Sequence, residues 1–304
     1  MRRWARAGVL LLVVALLAAA GLAVARATRS TPESAPQVLD RVVLLGDSYS
    51  SGNGAGGYLD ACFRTPLSAG RRYAAQVGAS VVDVSCSGAV TADLVNARGE
   101  SRPAQADAVD ATADVVVLTM GGNDVGFGAL VVQCFLLRSG TAEGGCADAV
   151  ERAEDQLATL RADLTRALTT VRERMRPDAV LVLRSYPFLA PDRPLVEQGG
   201  YDANRAVRAL GRAGTAMQQE VVEAVRTSGP GRERTHLDTS AETVFAGHEP
   251  GLPTAAGTSW FVCFGTRGAR QGEVFHPSPE GWRAWGDALV AFLAGREQPP
   301  ARQS

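Results

Sequence analysis

The stretch Arg41-Val42-Val43-Leu44-Leu45-Gly46-Asp47-Ser48-Tyr49-Ser50-Ser51-Gly52-Asn53-Gly54 reads as a strand that empties into a glycine-rich turn. Its apolar residues are continuous rather than alternating, which is the pattern of a strand covered on both faces. Strands of that kind belong to parallel sheets sandwiched by helices, and such sheets bind ligands beyond the carboxyl ends of their strands. The turn at Gly46-Asp47-Ser48 stands at such an end.

Four further runs of the same kind follow, at 80–84, 114–119, 179–183 and, with weaker patterning, 234–238. Helical periodicity separates them. From 147 to 175, Val150, Leu157, Leu160, Leu164, Leu168 and Val171 recur every three or four residues against arginines and acids, and Pro177 stands just beyond. A second helix is predicted over 201–226. A last one opens at Ser278-Pro279-Glu280, where serine suits the N-cap and proline the first turn, with Trp282, Trp285, Leu289 and Phe292 facing inward. Alternating strands and helices predict a three-layer α/β/α fold with a central parallel sheet, a single domain over 39–296.

The chain has 304 residues, 46% hydrophobic and 21% charged, which excludes a disordered or collagen-like chain and argues against a polytopic membrane protein. Its 31 basic and 32 acidic groups are unevenly placed, because the first 27 residues carry four arginines and no acid. The remainder is mildly acidic and offers no general attraction to a phosphate backbone, so no nucleic-acid partner is expected. Residues 1–27 place Arg2, Arg3 and Arg6 before an uncharged Leu/Val/Ala run, with small residues at Ala23, Ala25 and Ala27. That order marks an export signal; the length of the run keeps a retained membrane anchor open as the alternative. Either way the protein is secreted or held at the outer face of the membrane. Residues 28–38 read as a Ser/Thr/Pro-rich linker and 297–304 as a polar tail. Five cysteines, Cys62, Cys86, Cys134, Cys146 and Cys263, suit an exported chain; none forms a Cys-x-x-Cys pair, and proximity favours Cys134–Cys146.

The remaining chemistry gathers on the same rim. The second run ends in Asp83-Val84-Ser85-Cys86-Ser87-Gly88-Ala89 and the third in Thr119-Met120-Gly121-Gly122-Asn123-Asp124. A backbone N–H at Gly88 and the amide of Asn123 can then converge on Ser48 as donors to a developing oxyanion. His276, in Glu273-Val274-Phe275-His276-Pro277, precedes the final helix and is the candidate base. Neither a P-loop nor a Gly-x-Ser-x-Gly elbow is present, which argues against nucleotide binding and against an α/β-hydrolase.

Gly-Asp-Ser, the glycine block, Gly-Gly-Asn-Asp and a late His-Pro, in this order, resemble the SGNH hydrolases, also called GDSL esterases and lipases. The strings Gly46-Asp47-Ser48-Tyr49-Ser50-Ser51-Gly52, Cys86-Ser87-Gly88-Ala89 and Phe275-His276-Pro277 are similar to the secreted actinobacterial branch. The resemblance implies a flavodoxin-like fold and ester hydrolysis through an acyl-serine, without cofactor or metal. By position it makes Ser48 the nucleophile and, through its N–H, one oxyanion donor. Gly88 and Asn123 supply the other two, and His276 is the base. The family often has Asp three residues before the histidine; Glu273 stands there, and either its side chain or its backbone carbonyl would orient the ring. The resemblance also implies Cys62–Cys86 and Cys134–Cys146 bridges, and it leaves Cys263 unpaired or rewired, because Gly251 occupies the place where a third bridge would begin.

Plainer readings accompany these. Asp47 reads as a turn-fixing carboxylate, and Asn53 and Asp124 as structural hydrogen-bonding residues. His236 reads as a core or edge histidine and His248 as a structural one, since Gly-His-Glu lacks the second histidine of a zinc motif. Trp260 and Phe261 suit an acyl pocket or the core equally. The expected substrate is a lipid or small acyl ester, and the protein is expected to be a monomer. The alternatives are an O-acetylesterase acting on cell-wall or plant polysaccharide, and a surface-anchored binding module that has lost catalysis.

Overall fold

A computed structural model describes residues 39–99, 101–250 and 259–296. The expected signal or anchor at 1–27, the linker at 28–38, the tail at 297–304 and Gly251 lie outside the described residues. The five apolar runs are strands β1 (Arg41–Gly46), β2 (Ser80–Asp83), β3 (Val115–Thr119), β4 (Val180–Arg184) and β5 (Thr235–Asp238). They form one parallel sheet in the order β2-β1-β3-β4-β5. The direction of winding reverses at β1, so its carboxyl end opens into the crevice where such sheets bind ligands.

Period-two geometry divides each strand between two cores. Val43, Leu45, Val116, Leu118, Leu181 and Leu183 face helices α2 (Cys146–Arg174) and α3 (Ala203–Thr227), meeting Leu160, Leu164, Leu168, Met217 and Val221. Val42, Leu44, Val115, Val117, Val180 and Val182 face helices α1 (Ala69–Val77) and α4 (Pro279–Leu293), meeting Tyr73, Ala74, Leu289 and Leu293. Strands buried on both faces explain the absence of polar alternation in the sequence. Boundaries differ from the sequence expectations by one or two residues, as element ends do.

Helix α1 carries a weak apolar signal, because Tyr73 is the one large side chain among its buried residues Ala69, Gly70, Tyr73 and Ala74. A Cβ on Gly70 would lie 2.4 Å from Leu44 Cδ2, so this helix approaches the sheet through glycine and alanine rather than through leucine. In α4, Trp282 and Trp285 are fully buried and Phe292 partly so. The Ser278 hydroxyl accepts from the Gly281 N–H at 3.4 Å, and Pro279 occupies the first turn. A buried pair at the carboxyl ends of two strands fixes the far side of the sheet to this helix. Arg184 Nε meets Asp238 Oδ2 at 2.8 Å, and the guanidinium lies 4.0 Å over the Trp285 ring and donates to its carbonyl. Breaking such a pair from one side costs about 3–5 kcal/mol.

Candidate active site

Gly46 ends β1, and Gln105 grips its peptide from the side, accepting from the Gly46 N–H at 2.6 Å and donating to its carbonyl at 3.0 Å. The chain then turns into a single helical turn, Ser48–Ser51, with Asp47 at its N-cap. Asp47 Oδ1 accepts from the Tyr49 N–H and from the Thr119 hydroxyl, both at 2.9 Å, and Oδ2 accepts from the Tyr186 hydroxyl. Burial, the dominant influence, raises the Asp47 pKa to about 6 against these hydrogen bonds. Asp47 therefore bonds the turn, as its sequence context suggested, and it also joins β1 to the ends of β3 and β4.

Ser48 Oγ lies 2.7 Å from His276 Nε2, although the two residues are 228 positions apart. The serine is 6% and the histidine 4% exposed, so little water competes for the contact. Three constraints hold the histidine there. Residues 261–262 pair with 275–277, through the Val262 N–H to the His276 carbonyl and the Phe275 N–H to the Val262 carbonyl. The Tyr49 hydroxyl donates to the Phe275 carbonyl at 2.6 Å and anchors Phe275 in the left-handed region at φ 67°. Gly54 packs so closely that a Cβ there would lie 2.5 Å from the Pro277 carbonyl and 3.1 Å from His276 Cβ.

Burial lowers the His276 pKa to about 4, and the backbone carbonyls of Val274 and Glu273 oppose the shift. Nδ1 has no well-formed hydrogen bond, and the Glu273 carboxylate is committed elsewhere. Its Oε1 accepts from the Tyr58 hydroxyl at 2.6 Å and its Oε2 from the Arg270 N–H at 2.7 Å. The Glu273 carboxylate is thus held by Tyr58 and Arg270, and no hydrogen bond joins it to the His276 ring.

The donor blocks flank the serine, because β2 and β3 are the neighbours of β1. Gly88 adopts φ 81°, a conformation that favours glycine, in a turn tied down by the Cys62–Cys86 disulfide and by the Ser87 N–H on the Cys62 carbonyl. The Asn123 amide donates to the Ala89 carbonyl at 2.8 Å, which leaves one N–H of that NH2 group for a ligand. Asp124 accepts from the Thr91 N–H at 3.0 Å, and Asn53 donates to Ser87 Oγ and the Gly272 carbonyl, both at 2.9 Å. These last two residues lace the nucleophile, glycine and histidine loops together.

The second disulfide, Cys134–Cys146, closes the loop before α2, and Cys263 is free and half-buried. His236 lies on edge strand β5, and His248 stacks on Trp260 at 3.6 Å. Phe261 belongs to the core with Phe245, Trp282 and Trp285, and the half-buried Trp260 packs against the same cluster. Among the described residues no three His, Cys, Asp or Glu side chains converge as a metal site, and no helix is long and apolar enough to cross a membrane. Tyr49, Tyr58, Gln105 and Tyr186 had no signal of their own in the sequence. The only available hint was that Tyr186 follows the carboxyl end of a strand.

The GDSL-like Lipase/Acylhydrolase family matches residues 44–284. Lipase 1 of Streptomyces coelicolor is 28% identical over 291 residues, spanning 92% of this chain and 95% of that protein. A lipase of Streptomyces rimosus is 34% identical over 192 residues, or 61% of this chain and 64% of that one. Among solved structures, an extracellular lipase from Streptomyces rimosus superposes with a TM-score of 0.67 at 26% identity, covering 83% of this chain and 99% of that one. Phospholipase A1 from Streptomyces albidoflavus gives 0.65 at 27% identity, covering 85% and 99%. With the match spanning the sheet and all four blocks on its rim, the chain belongs to the GDSL-like lipase/acylhydrolase family and is a carboxylic ester hydrolase.

Proposed function

We propose that the protein is an exported serine esterase or lipase in which Ser48 forms the acyl-enzyme and His276 is its base. The observation that carries this reading is the buried 2.7 Å contact between Ser48 Oγ and His276 Nε2. In the first half-reaction Ser48 Oγ attacks the ester carbonyl while its proton passes to Nε2. Burial keeps the imidazole neutral at neutral pH, so the base is ready to accept it. The negative charge moves to the carbonyl oxygen, where the N–H groups of Ser48 and Gly88 and the free amide hydrogen of Asn123 receive it. Collapse expels the alcohol with the proton from His276. Water, activated by the same ring, then attacks the acyl-serine and restores both residues. The imidazolium in each step forms beside an oxyanion, which offsets the burial that disfavours it in the free enzyme. Glu273 acts here through structure, holding Tyr58 and Arg270 at the base of the histidine loop.

Export is supported by the charged-then-apolar order of residues 1–27 and by two disulfides, which persist in oxidising compartments. The described unit has what a monomer needs, a site built from one chain. The test is a fluorophosphonate label applied to protein recovered from culture medium and mapped by mass spectrometry, with an ester panel alongside. Label on Ser48, and loss of at least about 10³-fold in nitrophenyl ester hydrolysis by Ser48→Ala and His276→Ala with native melting, are expected. Full activity in Ser48→Ala would overturn the reading, and so would activity abolished by a chelator.

A further inference from the structure

Helix α3 buries one stripe, carrying Val207, Leu210, Met217, Gln218 and Val221, against α2 and the sheet. Positions 211 and 214 lie on that stripe at three- and four-residue spacing, where core side chains belong, and both are glycine. Glycine is the poorest helix former after proline, so each calls for a packing reason. Gly211 has one: a Cβ there would come within 3.0 Å of the Phe188 ring. Gly214 has none, since a Cβ there would meet no atom within 4 Å.

The missing side chain borders a cavity of about 100 Å3 between α2 and α3, with Leu157, Leu160 and Leu210 in its walls and no charged residue among those lining it. Ser48 and His276 do not line it, but residues next to them do: Gly122, Phe127 and Tyr186. The Phe127 ring lies 5.4 Å from the His276 ring, the Tyr186 hydroxyl bonds Asp47, and Gly122 immediately precedes Asn123. An ester held at Ser48 thus has an apolar void close by.

Resting on the serine-esterase reading above, we propose that this cavity receives the acyl chain and that Gly214 determines the length it accepts. A cavity of about 150 Å3 takes up a six-carbon ring, so this one holds about four carbons, and two more span the rim. The matching substrate class is esters of acyl chains of about six carbons, rather than acetyl esters. Each methylene that leaves water contributes a factor of about four to kcat/KM, up to the capacity of the cavity.

The experiment compares kcat/KM for soluble acetyl and hexanoyl nitrophenyl esters in the full chain and three variants. The parent is expected to favour hexanoyl. Gly214→Leu places four carbons in the cavity and lowers the hexanoyl-to-acetyl ratio by a factor on the order of 100. Gly214→Ala, whose Cβ meets no neighbour, lowers it about fourfold and decides the matter if the leucine variant does not fold. Ala213→Leu, on the exposed side of the same helix, leaves the ratio unchanged. A parent without preference for hexanoyl over acetyl overturns the pocket while leaving the serine-esterase reading intact. A ratio that stays constant in both Gly214 variants does the same. Absence of hydrolysis with every ester, with Ser48 unlabelled, overturns the reading beneath it.

Discussion

Replacing Asp47 by asparagine separates what this carboxylate costs from what it organises. In the folded protein its pKa is raised from 3.8 to about 6, chiefly by burial. Between those values the folded state keeps a proton that the unfolded state releases. The contribution of Asp47 to stability is therefore fully present below about pH 3.8 and is lost as pH rises through about 6. The whole loss is about 3 kcal/mol. Asparagine does not titrate, so its unfolding free energy lacks this decline. His276 and His236, whose pKa values are lowered to about 4, affect both proteins alike and cancel in the difference. The amide carbonyl of asparagine retains the bonds from the Tyr49 N–H and the Thr119 hydroxyl. Its NH2 group faces a Tyr186 hydroxyl that already accepts from the Gly122 N–H at 3.0 Å, leaving the tyrosine proton without an acceptor at a cost of about 1–3 kcal/mol. Urea unfolding of both proteins from pH 4 to 7.5 should show the variant less stable at the acid end. The difference should then move by about 2.4 kcal/mol in its favour as pH rises across that range. A difference that stays flat with pH, or moves the other way, refutes the reasoning. Ester hydrolysis should fall throughout, even where the variant is the more stable protein, because the nucleophile turn loses its tie to Tyr186.

Asn123→Ala should lower kcat by about 10²–10³-fold with little change in KM, read in steady-state kinetics on a soluble ester. Glu273→Gln should keep kcat/KM within about threefold of the parent, whereas removing a carboxylate that orients an imidazole costs roughly 10⁴-fold; a loss of that size would place Glu273 on the ring. The acid limb of kcat/KM should fall near pH 4, because burial favours the neutral, catalytically competent ring; a limb at 6.5 would mean that His276 titrates as if exposed. Cys134→Ser with Cys146→Ser should lower the unfolding free energy by about 3 kcal/mol in calorimetry or urea titration under oxidising conditions.

The sheet was legible because strands covered on both faces leave uninterrupted aliphatic runs, and the long helices because their buried stripes carry leucine and valine. Helix α1 was not, since it meets Leu44 at Gly70 and Tyr73 is the one large side chain among its buried residues. Ser48, Gly88, Asn123 and His276 stood out because each ends a strand or precedes a helix in a recognisable block. Their supports did not. Tyr186 reaches Asp47 across 139 positions and Gln105 reaches Gly46 across 59, and no local pattern encodes contacts made only by folding. Glu273 shows the converse: its position in the chain suggests the ring, and its carboxylate is turned instead to Tyr58 and Arg270 by two short hydrogen bonds.

The placement of nucleophile and base 228 positions apart along the chain governs when the molecule becomes an enzyme. Parallel strands need long crossovers, and contacts distant along the chain form late and slowly. A growing chain that has completed β1 and its turn carries the serine from the start. It has no base until residue 276 arrives and α4 docks on Tyr73 and Ala74. Every folding intermediate that lacks the last helix is thus chemically silent toward esters, and the appearance of turnover during refolding would time the final docking event.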